Sequence, residues 1–146
     1  AYAMRGLMEI GVASRRTRYV DHAVRMADAI AGQQRQDGAF PGRYAPDWRP
    51  AARWTCLTGN SQLALNFLRL GRITGENRFA PHAIRANRFN QRAQDLRQHD
   101  PHRAGGLKGS HPIDGEYITW RYPNWAAKFF IDALLLEIRP DLDNVG

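Results

Sequence analysis

Between Gly105 and Trp125 the chain gathers Lys108, Ser110, His111, Asp114, Glu116, Tyr117, Trp120, Arg121, Tyr122, Asn124 and Trp125. Polar and aromatic residues this dense, on a connection this long, mark a loop that functions rather than one that only joins. His111, Asp114 and Glu116 are side chains that move protons, and Asp37 adds a fourth on an earlier loop, so the chemistry on offer is general acid–base catalysis. Asp114-Gly115 also reads simply as a turn. Trp54, Tyr117, Trp120 and Trp125 have flat faces suited to stacking on a sugar ring, though aromatics beside inner helices more often pack in the core, and Tyr122 is a further candidate for substrate binding. Lys108 and Lys128 are the only lysines and would hold an anionic group. Lys128 is also spaced to pair with Asp132 one helical turn on. Asn60 and Asn124 stand at helix starts, either as caps or as groups presenting a helix N-terminus to a carboxylate or hydroxyl.

Other chemistries are thinly provided. The single cysteine, Cys56, excludes an intrachain disulfide framework and a multi-cysteine zinc site. It reads as a small buried residue and would act as a nucleophile only with a base such as His111 beside it. His22 and His82 stand 60 residues apart and form no local ligand pair. No metal and no cofactor is expected.

The elements that must position these residues follow an internal repeat. Shifted by 60 residues, Gly11 falls on Gly71, Arg18 on Arg78, Tyr19 on Phe79, His22 on His82 and Arg25 on Arg85. The match resumes after a seven-residue insertion, where Gly38–Gly42 faces Gly105–Gly109. A third partial copy opens at Asn124, in the place Asn60 holds in the second. Val20, Ala23, Val24, Ala27, Ile30 and Ala31 follow helical spacing, as do Leu63, Ala64, Phe67, Leu68 and Leu70. Helices are predicted over about 17–35, 61–74, 77–98 and 123–138, with Pro123 in the first turn of the last. No alternating strand pattern is evident, so the class is all-α. One domain is expected, with hairpin units at approximately 1–53, 54–121 and 122–146. The more apolar third and fifth helices are expected inside and the arginine-rich ones outside.

The 146 residues carry 21 Lys+Arg against 14 Asp+Glu, a formal net charge of +7. Nineteen of the positives are arginine, concentrated in residues 1–53 and 69–103, whereas residues 104–146 hold four positives against six acids. The basic excess is therefore the colour of the outer helices. With no Lys/Arg block and no recognition motif, nucleic acid is not the expected partner. No apolar run approaches the ~20 residues of a transmembrane helix.

Some of these residues carry a resemblance. Gln33-Gln34-Arg35-Gln36-Asp37-Gly38-Ala39-Phe40 resembles the Gln-x-x-Asp-Gly-x-Trp/Phe element of the α/α-toroid superfamily, which includes squalene and terpene cyclases and prenyltransferase β subunits. Trp54–Gln62, Gly105–Ser110 and Tyr122–Phe130 are similar to bacterial toroid proteins met in exopolysaccharide gene neighbourhoods. The resemblance implies an incomplete, C-terminal part of a toroid, its open end covered by preceding hairpins or by a partner subunit. It implies a carbohydrate ligand, handled by a hydrolase, lyase or epimerase in bacterial polysaccharide metabolism, with a cytoplasmic setting favoured. An isoprenoid-binding relative and a non-catalytic scaffold are the alternatives. The cyclase acidic motifs are absent, and Cys56 lacks the aspartate two residues earlier that prenyltransferases use for zinc.

Overall fold

A computed structural model describes residues 1–96 and 99–142. It is all-α, with five helices: α1 (Tyr2–Ala13), α2 (Thr17–Ala31), α3 (Leu57–Thr74), α4 (Ala80–Ala93) and α5 (Asn124–Ile138). Single 3-10 turns at Asn77–Phe79 and Pro140–Leu142 flank α4 and follow α5. Two short strands, β1 (Thr55–Cys56) and β2 (Ser110–His111), pair antiparallel with Thr55 opposite His111. Among the described residues no helix is long and apolar enough to cross a membrane.

The helices form where apolar spacing and end signals agree. On α2 the stripe Ala23, Ala27 and Ile30 is buried, against Met4 and Met8 of α1. The last turn of α3 closes on Gly75, whose φ of +75° is the left-handed conformation a helix end favours. Pro81 lies in the first turn of α4 and Pro123 immediately precedes α5, positions where a missing N–H costs nothing. Helix α3 touches all four other helices, and its Phe67 stacks on Phe79 and meets Phe40 edge-on. By contrast, α5 packs on α3 yet leaves Ile131, Leu135 and Ile138 exposed. A second apolar cluster of Ala39, Leu57, Phe89, Leu107, Ala126 and Phe130 lies beneath the two long loops. This cluster is the floor on which those loops are set.

Three expectations need correction. Asn60 does not cap α3. Pairing with β2 holds the chain extended through Cys56, so the helix starts at Leu57 and the Cys56 Sγ accepts the Gly59 N–H at 3.2 Å. Asn124 does not cap α5 either; it is the first helical residue, and no side-chain cap is made there. The helix expected over about 77–98 is shorter, ending at Ala93 because Gln94 turns extended (ψ 137°); positions 97 and 98 lie outside the described residues.

The sequence repeat is reproduced in contacts. Arg18 lies over the Tyr19 ring as Arg78 lies over Phe79, at 4.8 and 4.3 Å. His22 Nδ1 is 2.7 Å from Arg25, and His82 Nδ1 is 3.0 Å from Arg85. Gln34 donates to the Gly38 carbonyl at 2.9 Å, and Gln94 donates to the Gly105 carbonyl at 2.7 Å. Gly38 and Gly105 both have positive φ, 94° and 77°.

Candidate functional site

The β1–β2 pair staples the two long loops together. Leu57 N–H bonds to the Gly109 carbonyl at 3.2 Å, and Gly109 N–H to the Arg121 carbonyl at 2.9 Å. The pairing places His111 next to the strand that follows Trp54, and on the same face as Thr55, since directly opposed residues of an antiparallel pair share a face. His111 meets Phe89 of α4 edge-on at 5.4 Å between ring centroids, and the Arg35 guanidinium lies 5.8 Å from the same Phe89 ring. Arg35 bonds to both oxygens of Asp37, at 3.3 and 3.1 Å, and to the Arg53 carbonyl at 2.9 Å. Arg92 donates to the Asp37 carbonyl at 2.6 Å. Asp37 and His111, 74 positions apart by residue number, thus belong to one cluster with Arg35, Phe89, Arg92 and Lys108.

The electrostatics of the cluster combine cationic neighbours with an imidazole shifted toward its neutral form. Burial holds the His111 imidazole below its ordinary value of 6.5, and Lys108 and Arg35 add to this, against an opposing pull from Asp37. Burial works toward the neutral acid at Asp37, but the Arg35 guanidinium, the Ala39 N–H and Arg92 outweigh it and keep the carboxyl below its usual range. His111 Nδ1 is buried without a hydrogen-bond partner, as are Trp54 Nε1, Thr55 Oγ1 and Thr58 Oγ1. Buried polar atoms are normally paired, so four such atoms around one strand pair are unusual.

The remaining candidates divide between this cluster and other places. Glu116 is exposed and held by Arg43 at 2.8 Å, and Asp114 is exposed on the turn. Trp54 is half-buried with Gly42 and Gly115 pressed against it, where any Cβ would run into the indole. Its ring is therefore used in packing. Tyr117 OH accepts from Trp125 Nε1 at 3.1 Å, a pair at the exposed rim of the loop. Tyr122 donates to Asp95 at 3.1 Å, and burial followed by Asp95 raises its phenol above the ordinary value. Asn124 is exposed. Lys128 is exposed on α5 and pairs with Asp132 at 2.5 Å, the local alternative its spacing allowed.

Asn60 is inside the fold, 1% exposed. It accepts the Phe40 N–H at 2.9 Å and donates to the Ala86 carbonyl and Asn90 Oδ1 at 3.0 and 2.9 Å. Its carboxamide is fully engaged by protein and has nothing left for a ligand. Cys56 neighbours β2, but its Cα partner is Ser110, while His111 is opposite Thr55. Its side chain therefore lies on the other face from His111, and burial raises the thiol above its ordinary value, so a thiolate–imidazole pair is not formed.

Sequence reasoning missed Arg35, Phe89 and Arg92. Arg35 had one available signal, its position two residues before Asp37. Phe89 and Arg92 had none, because their relation to His111 exists only across packed elements. Among the described residues no group of three or more metal-ligating side chains comes together. The described residues form an all-α fold in which His111, Asp37 and three cationic side chains are gathered at two paired loops. No family model, no curated protein and no solved structure matches the chain.

Proposed function

We propose that the paired loops bind an acidic carbohydrate and that His111 is the base of a lyase- or epimerase-type reaction on it. The observation carrying this reading is His111: a half-buried imidazole whose pKa burial lowers, its Nδ1 buried without a partner, with Lys108 and Arg35 in electrostatic reach. Abstracting a proton next to a carboxylate needs a neutral base and cations that stabilise the charge that develops. Hydrolysis by two carboxylates is less well served. It needs one carboxyl held protonated, and Asp37 is kept ionised by Arg35 while Glu116 is paired to Arg43. In this reading Tyr117 and Trp125 form the rim against which a ring rests. The similarity to toroid proteins of polysaccharide clusters belongs to the same proposal.

Thermal-shift and calorimetric titrations with a uronate oligosaccharide, a neutral oligosaccharide of equal length and a prenyl diphosphate test it. The acidic sugar should stabilise the protein, with the effect lost in His111→Gln and Lys108→Gln and kept in Lys128→Gln. Stabilisation by the prenyl diphosphate with none by either sugar would overturn the proposal in favour of an isoprenoid ligand.

A further inference from the structure

The contact between the two hairpin units shows how this repeat recognises its neighbour. Gln34, beyond the end of α2, places its Nε2 at 2.9 Å from both the Gly38 and His82 carbonyls. Two carbonyls only accept, which fixes the orientation of the carboxamide. Its Oε1 then lies 2.8 Å from His82 Nδ1 and 2.6 Å from Arg85, and Arg85 also approaches His82 Nδ1 at 3.0 Å, so carboxamide, imidazole and guanidinium meet at one point. One helical turn earlier Arg78 pairs with Asp28 of α2. Between these anchors Gly38 approaches α4 so closely that a Cβ there would overlap the Arg85 carbonyl. Asp28, Gln34 and Gly38 on one unit therefore dock on Arg78, His82 and Arg85 of the next.

Moving this acceptor by 60 residues lands on Arg18, His22 and Arg25 of α2, the same three residue types at the same spacing. All three are exposed. Arg18 donates to Tyr19 OH at 2.9 Å, and Arg25 lies 2.7 Å from His22 Nδ1. An arginine can only donate, so His22 Nδ1 accepts from Arg25 and, unlike His82 Nδ1, has no carboxamide oxygen beside it. Among the described residues no carboxamide bridges this pair.

We propose that the Arg18–His22–Arg25 face of α2 is a docking surface for a helix that carries an acid and, beyond its end, a Gln-x-x-x-Gly loop. The occupant is thus a hairpin of this same repeat type, with the spacing of Asp28, Gln34 and Gly38. Its acid takes Arg18, its carboxamide oxygen takes His22 and Arg25, and its glycine admits close approach to the Arg25 backbone. A second copy of the whole chain is not the occupant. Its own Gln34 is already committed to His82, and its Gln94–Gly105 loop lacks the helical acid, since Arg88 stands where Asp28 does.

The probe is a synthetic peptide with the sequence of residues 17–42, added to the intact ¹⁵N-labelled protein, with the imidazole nitrogens read by NMR. Docking should place a carboxamide oxygen beside His22 Nδ1 and so shift the His22 ring nitrogens toward the pattern of His82. The shift should be saturable, and the binding at least tenfold weaker with peptides carrying Gln34→Ala or Asp28→Ala. Arg25→Ala in the protein should abolish it, and because that side chain is exposed the fold should be unaffected. Unchanged His22 nitrogens at saturating peptide, or an equal response to the Gln34→Ala peptide, would overturn the assignment. So would a His22 shift that grows with protein concentration in the absence of peptide, which would make a second copy the occupant.

Discussion

Replacing Asn60 by alanine should destabilise the protein by about 2–5 kcal/mol while leaving any ligand site chemically intact. The side chain bridges the loop before β1 to two points on α4, and all three bonds lie in a region closed to water. Its loss strands the buried Phe40 N–H, which costs roughly 1–3 kcal/mol. It also takes from Asn90 Oδ1 its donor, leaving Asn90 attached only to Ser61 and the Leu57 carbonyl. That second loss and the small void left behind add about 1–2 kcal/mol. For a domain of this size the sum corresponds to a fall in Tm of about 5–15 °C. Urea unfolding followed by circular dichroism gives the free energy directly, with Asn124→Ala as the matched comparison. Asn124 is exposed and makes no cap bond, so its replacement should change stability by about 0.5 kcal/mol or less. If Asn60→Ala costs under about 1 kcal/mol, the buried network is not what joins α3, α4 and the Phe40 loop, and the reasoning fails.

Gly38→Ala and Gly105→Ala share positive φ but not surroundings, because only Gly38 faces a backbone carbonyl closely. The first should cost about 3 kcal/mol or more and the second about 1 kcal/mol, measured by the same unfolding titration. Acid should weaken the fold through His111 and His82, whose values burial holds below 6.5 in the folded chain. As pH falls through the ordinary imidazole range the unfolded chain takes up protons that the folded chain refuses. Stability must therefore drop until the folded imidazoles also protonate. His111→Gln should flatten part of that decline; an unchanged slope between neutral pH and pH ~5 would show that His111 is not held neutral. Lys128→Ala, by contrast, removes only an exposed pair with Asp132 and should alter stability by about 0.5 kcal/mol or less.

How much of this was legible before folding depends on the range of the interaction. The helical class, the α2 stripe and the Lys128–Asp132 pair follow from spacing within one element. The 60-residue periodicity was equally visible, because each unit repeats the same local demands: arginine over an aromatic ring, histidine and arginine one turn on, glutamine before a left-handed glycine. The true start of α3 was not, since a strand pairing with residues more than fifty positions away holds Cys56 extended. The same distance hid the function of Asn60. At a helix start it reads as a cap, and only the approach of α4 and the Phe40 loop turns it into a buried bridge.

The proton-transfer residues first noted by type alone were sorted by their surroundings. His111 and Asp37 entered one cluster because a two-residue strand pair and the Phe89 side of α4 brought two loops together. Asp114 and Glu116, which are their equals by type, were left on the solvent side. By itself, then, the sequence determined which elements form and how they repeat, because backbone propensity and apolar period act within a turn or two. Tertiary structure alone decided which imidazoles burial shifts to lower pKa, which asparagine is buried and which arginines face an acid. Desolvation and charge pairing act between elements that the chain brings together only when it packs.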